Sequence, residues 1–225
     1  MGNLNLDDVP VEQVYKPFTG RYVDAMPALM AEKRIPMPVS ALMKRRLQVL
    51  DSKNEDLINN WWGNYYDSPD GLANFKQEYK LVKNAEPLLN IAKNSKLKNG
   101  GLILTEEQYD ALKGETFSRK ELEKAGINDW MPKDKIIEHP VWKAAAGSKD
   151  LLKNYANAQF KKYNDSKAMG TYLSEPQDIP TMRALVLSYG GYYGGGSSLS
   201  DGRYLGDDAR LVGVRKKVLE ELLQK

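Results

Sequence analysis

Cysteine is absent from the 225 residues, and histidine occurs once, at His139. Thiol nucleophiles, thiolate zinc sites and iron–sulfur ligation all need the sulfur itself, so this sequence supplies none of them. One imidazole suffices for a Ser-His-Asp arrangement but not for a multi-histidine metal site. His139 stands between Glu138 and Pro140, a setting that suits a packing or capping residue better than a general base, which needs a positioned proton partner in a cleft. Acidic pairs such as Glu106 with Asp110, or Asp207 with Asp208, are of the type that shares acid–base work, yet such pairs are common on helix faces and loops. Asp51 to Asp56 fails as a calcium loop, because Lys53 stands where an oxygen ligand is needed and no glycine follows at the sixth position. Gly190 to Ser198 has the glycines of a phosphate loop, but no Gly-Lys-Ser/Thr follows to supply the lysine and the hydroxyl. No catalytic residue, metal ligand or cofactor is therefore expected.

What remains is recognition. Tyr192 and Tyr193 lie in the glycine-rich segment, with Arg183, Arg203 and Arg210 near it in sequence. Tyrosines beside arginines can stack unpaired bases, each stack worth about 1–3 kcal/mol; the plainer alternative is a solvated hairpin loop. Lys44-Arg45-Arg46, Lys161-Lys162 and Arg215-Lys216-Lys217 are short basic clusters on expected helices. Converging, they would make one anionic-partner patch; scattered, each is a wet helix face. Ser118 to Ile127, SRKELEKAGI, resembles the first helix and turn of helix-turn-helix and winged-helix proteins: a capped helix ends in Ala-Gly-Ile, so that glycine takes the left-handed turn. That resemblance covers about twenty residues. It implies a second helix over residues 132–137, with Lys133 and Lys135 as candidates for phosphate or base contact, and it competes with a capped two-helix corner of purely structural role.

The elements that must position these residues are read from spacing and caps. The first forty residues hold five prolines, at 10, 17, 27, 36 and 38, a density that predicts an extended arm wrapping over the body. From Ser40 the spacing of Leu42, Met43, Leu47 and Leu50 predicts an amphipathic helix with Lys44, Arg45 and Arg46 largely on its outer side. Ser52-Lys53-Asn54-Glu55 has the form of a capping box. It opens a helix on which Trp61, Trp62, Tyr65 and Tyr66 share a broad aromatic face, expected as core rather than as a sugar platform. Asp67-Ser68-Pro69-Asp70-Gly71 predicts a turn. Residues 72–100 are left open between helix and strand. Thr105 and Ser118 open two more capped helices before Gly114 and Gly126, and 150–163 makes another. Met182 to Tyr189 and Arg210 to Val214 predict strands, and an amphipathic helix closes the sequence.

Composition bounds these readings. With 41% hydrophobic residues and 21 aromatic ones the chain is long enough to bury a core, and no run reaches the roughly 18 apolar residues of a membrane helix. The amino terminus does not read as a secretory signal. The formal charge of +3 demands no polyanion by itself. The sequence therefore predicts a predominantly helical α+β protein: a proline-rich extended arm over 1–38, a helical body over 39–165, and a small β-containing region with a terminal helix over 166–225. The expected function is non-enzymatic binding of a polyanion, nucleic acid first, through Lys44, Arg45, Arg46, Lys133, Lys135, Arg183, Tyr192, Tyr193 and Arg203. The alternative is a scaffold or self-assembling protein docking through its arm and terminal helix. An intracellular, cytoplasmic setting without a membrane is expected.

Overall fold

A computed structural model describes residues 4–8, 13–189, 196–201 and 204–224. Its elements run β1 (Lys16–Arg21), α1 (Tyr22–Ala31), β2 (Ile35–Pro36), α2 (Val39–Leu50), α3 (Glu55–Trp62), β3 (Tyr66–Phe75), β4 (Glu78–Val82), α4 (Glu86–Leu89), β5 (Leu97–Lys98), β6 (Gly101–Ile103), α5 (Glu106–Ala111) and β7 (Glu115–Ser118). They continue with α6 (Arg119–Ala125), β8 (Asp129–Met131), α7 (Lys133–Glu138), α8 (Pro140–Ala146), α9 (Lys149–Tyr163), β9 (Met169–Tyr172), β10 (Thr181–Tyr189), β11 (Ser197–Ser200), β12 (Asp208–Val214) and α10 (Lys216–Gln224).

All twelve described strands join one mixed sheet, whose main path is β1-β12-β3-β10-β11-β9-β8. Strand accounts for 28% of the described residues and helix for 40%. The expectation of a helical body with a small carboxy-terminal sheet and an extended amino-terminal arm is therefore corrected. The proline-rich segment supplies β1, antiparallel to β12, then α1, then β2 on the same β12. Pro17 is accommodated because β1 is an edge strand, where a missing amide is tolerated. The expected turn at Asp67–Gly71 is the buried middle of β3. Its polar residues find distant partners as well as the local bond from the Asp70 amide to the Ser68 hydroxyl. Asp67 accepts the Arg210 amide, Ser68 donates to the Leu185 carbonyl, and the two Asp70 oxygens accept the amides of Val39 and Asn84. Residues 72–100, left open by the sequence, form the β3–β4 hairpin, α4, β5 and the connections between them.

The sheet separates two hydrophobic clusters. Alternation along its strands sends Leu72, Leu185, Leu187 and Val212 inward to the larger one, beneath α2, α3, α7, α8 and α9. The neighbours Ala73, Met182, Ala184 and Leu211 go to the other face, beneath α1 and α4. Trp61 and Trp62 are core, as expected, but α3 stops at Trp62 and Tyr66 opens β3, so the four aromatics do not share one helix. The cap of α3 is Asn54, whose side chain accepts the Leu57 amide at 3.1 Å, rather than Ser52. The capping box at Thr105 is complete.

The helix-turn-helix resemblance is likewise corrected. Ser118 caps α6 and Gly126 takes the left-handed conformation at φ 99°, but the chain then enters a strand. Asp129–Met131 pairs with β9 as β8, and the Asn128 amide donates to the Thr171 carbonyl at 2.6 Å. The glycine ends a helix into a sheet edge, and α7 begins only beyond it. Among the described residues no helix is long and apolar enough to cross a membrane.

Candidate binding face

The three consecutive basic residues of α2 point to three different places. Lys44 donates to the Leu223 carbonyl at 2.6 Å and ties down α10. Arg45 is buried; it pairs with Asp8 at 2.9 Å and lies 4.4 Å above the Tyr15 ring, holding the amino-terminal segment. Arg46 is 1% exposed. Its guanidinium donates to the carbonyls of Trp61, Asn64 and Leu187, the Tyr155 hydroxyl and the Ser197 hydroxyl, at 2.7–3.3 Å. A buried guanidinium is tolerable only with its N–H groups satisfied, and here neutral oxygens do that. Arg46 thereby clamps Leu187 near the end of β10 and the first residue of β11, the two strands that flank residues 190–195. Tyr155 fixes α9 to the same knot through Arg46 and also accepts from Gln159, one turn along the helix, at 2.8 Å.

Outward from that knot, one row crosses four strands: Trp130 of β8 pairs with Gly170 of β9, Gly170 with Ser198 of β11, and Ser198 with Ser188 of β10. Paired residues share a face, and the Ser188 and Ser198 hydroxyls meet at 2.5 Å. The Trp130 and Tyr172 rings touch edge to face at 5.9 Å between centroids. Two glycines make room for Trp130. A Cβ on Gly170 would come within 3.3 Å of its ring, and one on Gly196 within 3.0 Å of the ring and 2.5 Å of the Ala168 carbonyl. Gly196 also has φ +143°, a conformation only glycine adopts easily. Trp130, Tyr172, Ser188 and Ser200 are half-buried, and none belongs to either hydrophobic cluster.

At the rim, Tyr189 is 40% exposed and its ring lies 6.1 Å from that of Tyr163. Burial raises the Tyr163 hydroxyl above its ordinary pKa, so the ring is a neutral donor at any physiological pH. Asp201 secures the far end of β11. Fully buried, it accepts the Ser174 amide at 2.6 Å and the Ser174 hydroxyl at 3.1 Å, while its own amide donates to the Tyr172 carbonyl. Burial pushes its carboxyl up, against those hydrogen bonds and the nearby Arg183.

Of the residues singled out from sequence, Lys133 and Lys135 are exposed on α7. Arg183 is buried, donates to the Asn99 carbonyl at 2.5 Å and lies 5.6 Å from the exposed Tyr204 ring. Tyr192, Tyr193 and Arg203 lie outside the described residues. Trp130, Tyr163, Tyr172 and the outward serines were missed. The signal was the alternation Gly196, Ser198, Ser200 against Ser197 and Leu199, a strand with one small, polar face. Among the described residues no group of three or more His, Asp or Glu is placed to hold a metal ion.

This architecture is the C-type lectin fold. A solved structure described as "Accommodation of massive sequence variation in Nanoarchaeota by the C-type lectin fold" superposes with a TM-score of 0.69 over 91% of this chain and 99% of its own, at 17% sequence identity. At that identity the likeness concerns the fold alone. No family model matches the sequence, and no curated protein does.

Proposed function

We propose that this chain is a non-enzymatic binding module that takes a protein surface on the outer face of β8, β9, β11 and β10 and on the tyrosine rim beside it. The observation that carries this reading is the change of chemistry along one sheet face. Beneath α1 and α4 the face is apolar and closed, whereas across Trp130, Tyr172, Ser188 and Ser200 it is aromatic, hydroxylated and part-exposed. Every residue from Ser188 to Ser200 except Leu199 is Ser, Tyr or Gly. Protein-recognition surfaces use these types because rings give large contact area at low entropic cost and small hydroxyls adapt their hydrogen bonds. The accommodation of sequence variation ascribed to the Nanoarchaeota structure, carried to this chain, favours a face whose side chains change while the scaffold stays.

The test is a screen of the purified chain against arrays of folded proteins and of glycans. The expected hits are proteins, with signals falling at least tenfold for Tyr189→Ala and for Ser200→Arg while the melting temperature stays the same. Hits confined to glycans, or protein hits indifferent to both variants, would overturn the reading.

A further inference from the structure

Net charge is distributed unevenly along the chain. Between residues 133 and 167 there are eight lysines and four acidic residues, a net of +4, against +3 for the whole chain; the rest therefore sums to −1. That stretch is α7, α8 and α9, three helices packed on one another over the inner cluster, on the side of the sheet opposite the serine row. On α9 the side facing the core is Leu151, Leu152, Tyr155, Ala156 and Gln159. The opposite side places Lys149, Lys153, Asn157 and Lys161 at i, i+4, i+8 and i+12, all exposed. At 1.5 Å per residue this stripe runs about 18 Å, with about 6 Å between successive turns.

Lys149 and Lys143 are within 3.5 Å of Glu138, but Lys133, Lys135, Lys153, Lys161, Lys162 and Lys167 have no carboxylate within 4 Å among the described residues. Lys149 and Lys153, four apart on α9, are like charges at a spacing that costs a few tenths of a kcal/mol, so the stripe does not stabilise the fold.

We propose that the exposed lysine stripe of α9 docks the phosphate backbone of a duplex nucleic acid, independently of the partner taken on the serine row. The stripe is linear and periodic, as a phosphate strand is. Its charges are lysine ammoniums rather than the arginine forks that read base edges, so contact is to the backbone and without sequence preference. An anionic bilayer fits less well. Among the described residues the exposed large apolar ones are Met30, Tyr189, Tyr204 and Leu223, and none lies on α7, α8 or α9 to enter the lipid.

The experiment titrates the full chain against a fluorescent 20-base-pair duplex and against vesicles of anionic phospholipid at four salt concentrations between 50 and 200 mM. Binding to the duplex is expected to weaken steeply with salt. Lys153→Gln combined with Lys161→Gln should reduce the slope of log K against log salt by about 2, close to 0.9 per lost contact. Lys216→Gln combined with Lys217→Gln, on α10, should leave it unchanged. Melting temperatures should match throughout, since all four lysines are exposed. No duplex binding at 50 mM salt, a slope the α9 pair does not alter, or binding to vesicles alone would overturn the proposal.

Discussion

Strand β10 runs through two environments on the same face of the sheet. At its start Met182 and Ala184 point into the cluster under α1 and α4; after a register shift against β3 between Ala184 and Val186, Ser188 meets Ser198 in a part-exposed row. The strand pairs with β3 on both sides of that shift, and the two halves differ most in what their side chains do. In the first half, apolar volume holds helices to the sheet. In the second, the fold is held from the opposite face, by Leu185, Leu187, Leu199 and the Arg46 knot, and the outward side chains carry little of the stability. A surface whose residues are not needed for folding is one that recognition can use.

The comparison is broken most severely from the inner face. Trp62→Ala removes a ring stacked 5.8 Å from Tyr155 and an indole N–H that donates to the Arg46 carbonyl at 2.7 Å. A loss of about 3–5 kcal/mol is expected in urea unfolding. Arg46→Met takes the guanidinium donor from the carbonyls of Trp61, Asn64 and Leu187, while the Tyr155 hydroxyl keeps Gln159. At about 1–3 kcal/mol for each buried group left unpaired, the expected loss is about 3 kcal/mol or more. Faster amide exchange should appear at both Leu187 and Ser197, because the clamp joins them.

His139 tests the inner side through pH. It is buried between α7 and α8, and burial lowers its pKa from 6.5 to about 4. Between those values the unfolded chain binds the proton and the folded chain does not. Stability from this residue is therefore complete above pH 6.5, falls as pH drops, and levels off below about 4, a total of about 3 kcal/mol. The difference in unfolding free energy between wild type and His139→Leu, followed from pH 7.5 to pH 4, isolates this contribution from the buried carboxylates; a difference that does not change with pH would contradict it. The smallest effect belongs to the outer row: Ser200→Ala and Ser188→Ala should each change stability by less than about 0.5 kcal/mol.

Local signals were legible in the sequence wherever local physics decides the outcome. The Thr105 box, the Gly126 cap, the strands at 182–189 and 210–214 and the helix over 150–163 follow from caps and periodicity alone. What stayed hidden depends on partners far along the chain. Ser68, Pro69, Asp70 and Gly71 have turn chemistry, but Val39, Asn84 and Leu185 supply hydrogen bonds to Asp70 and Ser68 that let them run as a buried strand. Arg45 and Arg46 look like a wet cluster because nothing local reveals Asp8, Leu187 or Ser197 as their partners. Trp130 gave no sign of a site until β8 was seen to lie beside Gly170 of β9 and Gly196, just before β11.

The most direct test of the divided face is a paired library measurement. One pool randomises Trp130, Tyr172, Ser188 and Ser200; the other randomises Ala73, Met182, Ala184 and Leu211. Each is displayed on cells and scored for the fraction resisting a protease that cuts unfolded chain. The account predicts that most members of the first pool stay resistant and most of the second are cut. Equal losses in the two pools would show that the serine row holds the fold as the apolar half does, and would contradict its assignment as a binding face.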